Sequence, residues 1–432
     1  MKTAGILYAR RFSAILVTVK KVRRAGRGEA LLLHAGRSYG KEMVILMLLI
    51  RNGTIFDAIH PDPYTADILV RDGKIAEIGE NLPADGPVLD ATGLNIYPGF
   101  VEAHCHIGLD GSGIGFEGDD CNEMTDILTP QLRAIDGIYP MDPTFHEALA
   151  AGVTTVCTGP GSANVLGGQF AVIKTAGHRV DDMIVKPYAA MKCAFGENPK
   201  RCYRDKNNYS RMSTAAKLRE MLMKAKEYDR KKQAAGDDEA KRPPLDMKLE
   251  ALLPVLHGEA PLKAHAHRAD DIFTAIRIAR EFGVRLTLEH VTEGHLIAAD
   301  LAKEGYPVAV GPSLTHATKF ELRNKTFATP GVLAKAGCHV SIITDSPVIP
   351  QSYLPLCGAL AVKAGMDPFE ALQAITIHPA EHIGVADRVG SIACGKDADL
   401  VLMDGAWNDV SAVVRAVFVN GEQVCGAHGV ER

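Results

Sequence analysis

Charge of one sign is missing from this chain. Its 48 Lys and Arg face 52 Asp and Glu, a net charge of −4 over 432 residues. That balance gives no case for nucleic acid or an acidic membrane surface as partner. Paired cysteine motifs are missing too. Nine cysteines are scattered without one Cys-x-x-Cys. An odd, unpatterned set reads as reduced thiols and a cytoplasmic setting. A phosphate loop is also absent: no Gly-Lys-Ser/Thr follows the Gly-rich run Gly159-Pro-Gly-Ser-Ala-Asn-Val-Leu-Gly-Gly168. That run reads either as a tight turn or as backbone approaching a substrate. What remains, 47% apolar and 23% charged, is ordinary for a globular protein. The length suffices for a large domain plus a smaller one.

The start of the chain departs from this balance. Residues 1–42 hold ten Lys or Arg and two acids, so +8, which leaves −12 for the remainder. They are Arg-rich and acid-poor, as transit peptides are. They lack the long apolar core of a membrane span and any clean amphipathic period. We read residues 1–46 as a basic extension outside the fold, with a start at Met43 or Met47 as the simplest account.

What is present is a set of apolar runs that end in metal-type ligands. Ile96-Tyr-Pro-Gly-Phe-Val-Glu-Ala-His104-Cys-His106 comes first. Side chains alternate along a strand, so His104 and His106 share one face, and Cys105 points away. Three further runs follow: Pro261-Leu-Lys-Ala-His265-Ala-His267, Arg285-Leu-Thr-Leu-Glu-His290 and Val340-Ser-Ile-Ile-Thr-Asp345. Amphipathic stretches lie between them, among them Asp271–Gly283, which closes on glycine. Strands alternating with helices predict parallel βα units. In a (β/α)₈ barrel, strand carboxyl ends gather on one face. Four ligand-bearing ends therefore converge. Nitrogen and oxygen donors without thiolate favour Zn, with Mn, Fe or Co open. Such an ion brings bound water toward a neutral pKa, and the hydroxide attacks a carbonyl carbon whose oxyanion the ion stabilises.

These residues resemble the amidohydrolase superfamily, in its imidazolonepropionase-like and prolidase-like branch. The resemblance rests on Pro98–His106, His265, His290 and Thr344-Asp345. It also rests on Ala66–Gly79 and Val389–Leu402, and it spans about residues 47–423. It implies a TIM-like barrel with a small β-sandwich built from both chain ends. It implies one or two divalent ions, zinc first. Asp345 then contacts metal and shuttles the proton; its plainer reading is a helix N-cap. His265, the first of its pair, is carried over as ligand. A strand-four bridge is implied, either Glu or a carboxylated Lys. Glu197, at the expected strand end before Asn198-Pro199, is preferred. Lys192 is the alternative, about 16 Å lower along an extended strand.

The expected layout is then a first sandwich part at 47–95, a barrel at 96–384 and a second sandwich part at 385–432. Val70-Arg-Asp-Gly-Lys-Ile signals a hairpin. Barrel strands two, three, four and seven are expected at Gly152–Thr158, Phe170–Thr175, Tyr188–Glu197 and Pro307–Leu314. An insert at 198–250 offers a charged helix and a lid. Asp367-Pro-Phe-Glu starts a capped helix. On the substrate side, His267, Arg268 and His316 are candidates. Arg268 would grip a carboxylate, unless Asp270 and Asp271 hold it at a helix start. His295 reads as a solvated loop residue. The function expected is hydrolysis of a C–N bond in an amide, cyclic amide or dipeptide. A deaminase on the same scaffold, or an inactive assembly protein, are the alternatives. The partner expected is a small-molecule substrate, with neither nucleic acid nor membrane; a homo-oligomer is open.

Overall fold

The computed structural model describes residues 47–84, 86–111 and 115–426. The expected basic extension lies outside these residues. The chain opens with β1 (Met47–Ile55), β2 (Tyr64–Arg71), β3 (Lys74–Gly79), β4 (Val88–Asp90) and β5 (Asn95–Pro98). The β2–β3 hairpin turns on Asp72 and Gly73, at φ +51° and +78°. Two consecutive positive φ values are what a two-residue hairpin turn requires, which explains the Asp-Gly pair.

Eight barrel strands follow: β6 (Phe100–Cys105), β7 (Val153–Thr158), β8 (Leu166–Lys174), β9 (Ile184–Ala194), β10 (Leu262–Ala266), β11 (Leu286–His290), β12 (Val308–Val310) and β13 (Val340–Ile342). They form one sheet in sequence order. Glu102 buttons its two ends together. One carboxylate oxygen of Glu102 accepts from Thr344 N at 2.9 Å, Thr344 Oγ1 at 2.7 Å and Gln351 Nε2 at 3.0 Å. The mixed α/β barrel is as expected, with one correction. β8 runs antiparallel to both β7 and β9. Only residues 159–165 separate β7 from β8, too few for the crossover that a parallel return needs. The carboxyl end of β8 therefore lies at the foot of the barrel.

The helix Ala269–Phe282 shows how the wall is built. Ile272, Ala275, Ile276 and Ala279 are buried and share one core cluster with Leu262, Leu286, Val308 and Val340. Burying each isoleucine contributes about 1.5–3 kcal/mol. Gly283 ends the helix at φ +67°, the left-handed cap expected of glycine. Asp367 caps Pro368–Gln373 by accepting from Phe369 N and Glu370 N. The expected insert contains the helix Arg211–Ala235, whose Leu218, Leu222 and Ala225 join the same cluster. It thickens the wall beside Ala269–Phe282 instead of standing off as a lid.

The chain returns with β14 (Leu400–Met403), β15 (Val414–Val419) and β16 (Glu422–Gly426). β14 pairs with β5, so both chain ends share one eight-stranded sheet. Ile50, Ile68 and Ile96 meet Leu400, Leu402 and Phe418 in a single apolar cluster. Neither set of strands buries its apolar face alone.

Candidate metal centre

The carboxyl ends of β6, β10, β11 and β13 bring their ligands together. Two groups of three donors form, His104–His106–Asp345 and His265–His267–His290, each with ligand atoms within 4.8 Å of one another. His290 joins them: its ring centroid lies 4.9 Å from that of His104 and 4.3 Å from that of His265. His106 Nε2 is 3.2 Å from Asp345 Oδ1. His290 and Asp345 sit at φ +76° and +56°. Non-glycine residues in this region cost energy, and they collect where a site over-determines them.

Acceptors behind the rings set their orientation. His104 Nδ1 lies 3.1 Å from Glu289 Oε2. His106 Nδ1 meets the Gly159 carbonyl at 2.6 Å and His290 Nδ1 the Gly311 carbonyl at 2.8 Å. An acceptor on Nδ1 holds the ring proton there by a hydrogen bond and leaves the Nε2 lone pair free for a metal. Glu289 is itself fully buried, and Lys263 Nζ at 3.0 Å and His382 Nε2 at 2.9 Å hold it. Lys263 and His382 also keep its carboxyl well below the ordinary range, against the opposing effect of burial. Burial depresses His104, His265 and His267 well below the ordinary imidazole value, so they are neutral, as ligands must be.

Both ring nitrogens of His265, and Nε2 of His290, are buried without a hydrogen-bond partner. Orphaned polar atoms in a buried site are costly. A divalent cation satisfies one nitrogen of each ring, and imidazole with carboxylate is a zinc-type donor set. The residues present therefore fit a metal ion.

Strand four departs from expectation. β9 ends at Ala194, Gly196 turns the chain at φ +84°, and Glu197 opens the short helix Glu197–Cys202. Glu197 Oε2 accepts from Glu321 N at 3.2 Å, and Glu197 N donates to Glu321 Oε2 at 2.9 Å. That reciprocal clamp ties two loops together and keeps Glu197 out of both donor groups. Lys192 takes the central position: it is fully buried, with Nζ 3.0 Å from His104 Nε2. Height along the strand misleads here, because the long lysine stem carries its amine upward.

A cleft of about 580 Å³ opens above the cluster. His106, His265, His267 and Asp345 form its floor, and His316 lies in its wall. Arg268 is absent from the lining and makes a two-pronged ion pair with Asp270, 2.9 Å for each bond. His267 is buried, with Nδ1 2.8 Å from Thr292 Oγ1. His295 meets Thr329 Oγ1 at 3.0 Å, outside the lining. The Asp345 side chain serves no helix cap; only its backbone carbonyl accepts, from Val348 N.

Comparison with known proteins gives the family. A solved amidohydrolase of Thermotoga maritima MSB8 is 43% identical, covers 88% of this chain and 100% of its own, and superposes with a TM-score of 0.85. This chain belongs to the amidohydrolase superfamily. The amidohydrolase family model matches residues 255–424. The amidohydrolase tasK of Hapsidospora irregularis is 30% identical over 391 residues, 83% of this chain but 40% of its own length. An adenine deaminase of Listeria monocytogenes is 24% identical over 386 residues, 87% of this chain and 57% of its own. The chain thus spans about half the length of these two curated superfamily relatives. A prolidase solved with N-methylphosphonate-L-proline superposes at a TM-score of 0.56 with 17% identity, over 88% of this chain and 100% of its own, and shares the fold.

Several site residues escape a reading of strand ends. Lys263 and Glu289 break apolar strand runs, and that break is their signal, since a charge inside a strand needs a partner. Asn198 and Glu321, in short helical turns, and Lys319, in a loop, carry none.

Proposed function

We propose that this chain is a metal-dependent hydrolase of a C–N bond in a small amide, cyclic amide or dipeptide. The observation that supports this most is the meeting of His104, His106, His265, His290 and Asp345 around partnerless imidazole nitrogens under an open cleft. These residues would hold one or two divalent ions, zinc by preference. When bound, such an ion lowers the pKa of water and polarises a carbonyl oxygen.

The chain's own groups do the rest. Asp345 takes the proton of the attacking water and hands it to the leaving nitrogen. Burial favours its neutral form, but His290 and His106 beside it hold its carboxyl below the ordinary range, so it is an anion. Lys192 is the strand-four bridge in this reading. Burial pushes its amine down to about 8, against the pull of Asp345. A neutral amine adds carbon dioxide with loss of a proton, and the resulting carbamate offers two oxygen donors. His267 and His316 face the substrate.

The nine cysteines are all unpaired, which supports a cytoplasmic setting. No helix of the described residues is long and apolar enough to cross a membrane. The adenine deaminase relative supports a second reading, attack on a ring carbon with release of ammonia. Lys192 at the centre favours the amide reading, since deaminases usually lack a strand-four ligand.

Metal analysis with substrate screening tests the proposal. Purified protein should carry one or two zinc-like ions, and His104→Ala with His106→Ala should abolish them. Wild type should hydrolyse some member of a panel of N-acyl amino acids, dipeptides, lactams and imidazolones. Full metal in the double variant, or release of ammonia from adenine alone, would overturn it.

A further inference from the structure

The cleft above the donor cluster carries one formal cation. Among the described residues that line it, Lys319 is the lone Lys or Arg. It belongs to the loop that follows β12, whereas Arg268, at the start of the helix Ala269–Phe282, is spent on Asp270. We propose that Lys319 is the receptor for a carboxylate on the substrate, so that the enzyme acts on acidic amides such as N-acyl amino acids or dipeptides. This rests on the amide-hydrolase reading above.

The placement is built, not incidental. The Lys319 side chain is 18% exposed, shielded enough for its charge to count and open enough to be reached. Its Nζ lies 2.9 Å from Glu321 Oε1 and donates to Asn198 Oδ1 at 3.1 Å. An ammonium has three N–H donors, and these two partners leave one for a ligand. Asn198 is fixed in turn, donating through Nδ2 to Ser162 Oγ at 2.8 Å. Asn198, Ser162 and Lys319 all line the cleft. The reciprocal Glu197–Glu321 clamp locks the two loops that supply them. Cation and hydrogen-bonding neighbours are therefore pre-positioned, which lowers the ordering cost of binding.

The same loop reaches the donor cluster. Glu321 Oε1 lies 3.8 Å from His267 Nε2 and 4.0 Å from His265 Nε2. A substrate held by its carboxylate at Lys319 thus has its remaining length over the cluster floor. A neutral amide or a purine offers Lys319 no negative charge to pair with. An ammonium facing a carboxylate discriminates charge more than shape, because it is a compact point charge without the planar fork of arginine.

The test uses the metal-loaded full chain and paired probes: N-acetyl-alanine, N-acetyl-leucine and N-acetyl-proline, each against its carboxamide. Dissociation constants come from calorimetry and turnover from amine release, for wild type, Lys319→Met, Lys319→Gln and Lys319→Arg, with metal per chain checked in each. We expect wild type to bind the carboxylates more tightly. Lys319→Met should weaken them about 10- to 100-fold, the worth of one charge-assisted hydrogen bond, and leave the carboxamides unchanged. Lys319→Gln should match Lys319→Met should the latter not fold, and Lys319→Arg should restore most of the preference. Equal binding of both probe classes, a preference that survives loss of the charge, or no binding at all would overturn the proposal. Carboxylates bound through Lys319 but left intact would uphold it and sink the hydrolytic reading instead.

Discussion

Asp345 sits where burial and neighbouring charge pull a carboxyl in opposite directions. Burial favours the neutral acid, but His290 and His106 win and keep it ionised. The substitution Asp345→Asn keeps shape and one oxygen donor and removes the base. Turnover should fall about 10²–10⁴-fold, the usual worth of general acid–base catalysis. Metal per chain should fall far less, since four histidines remain. Measuring both quantities on the same preparations decides the matter: loss in proportion would make Asp345 a ligand only, and unchanged turnover would remove the proposed base. This residue was legible from its place at a strand end, as were His104, His106, His265 and His290. On strand four the same rule met a different geometry: the structure clamps Glu197 to Glu321 and brings Lys192 to His104. The rule ranks residues by height along a strand and ignores side-chain length, so it preferred Glu197 to Lys192. It was blind to Lys319, because no period marks a loop residue.

Elements carry the constraints that single residues obey. Strand β8 lies against the site from behind, and its Phe170 ring sits 5.1 Å from the His104 ring. Gly159 opens the loop from β7 to β8, and its carbonyl orients His106. A Cβ at Gly159 would lie 2.3 Å from Phe170 Cδ2, and Phe170 is fully buried with nowhere to go. The Gly159→Ala variant should therefore lose about 1–3 kcal/mol of stability, as over-packed cores do. Its metal affinity should also weaken, because a displaced loop shifts the carbonyl that orients His106. A denaturant midpoint and a metal titration equal to wild type would show that the loop relaxes freely. The glycines here read as a turn or a close backbone approach from sequence, and the structure makes the close approach internal, onto Phe170. The reversal of β8 was implicit in the shortness of this loop. Periodicity alone does not reveal it, since a strand reads the same in either direction.

At the scale of the whole molecule, the described residues join the two ends of the fold in one sheet. Met47 opens β1 and pairs with Arg71 of β2, and the sheet that begins there is completed by β14–β16 from the far end of the chain. The C-terminal strands are stitched to the barrel by buried charge: Lys174 of β8 reaches Asp397 at 3.0 Å and Asp399 at 2.6 Å. Breaking such a pair on one side is costly, because the other charge stays buried. Among the described residues, every strand of both sheets lies from Met47 onward. A chain beginning at Met47 should then fold, bind metal at the same ratio and unfold at the same denaturant midpoint. It also sheds the +8 charge of the basic stretch and keeps a net −12, which favours solubility. The comparison needs both lengths, purified alike, with metal per chain and unfolding followed in parallel. An insoluble or metal-free short form would mean that the basic stretch contributes to the fold, and that its lack of periodicity is no guide to its role.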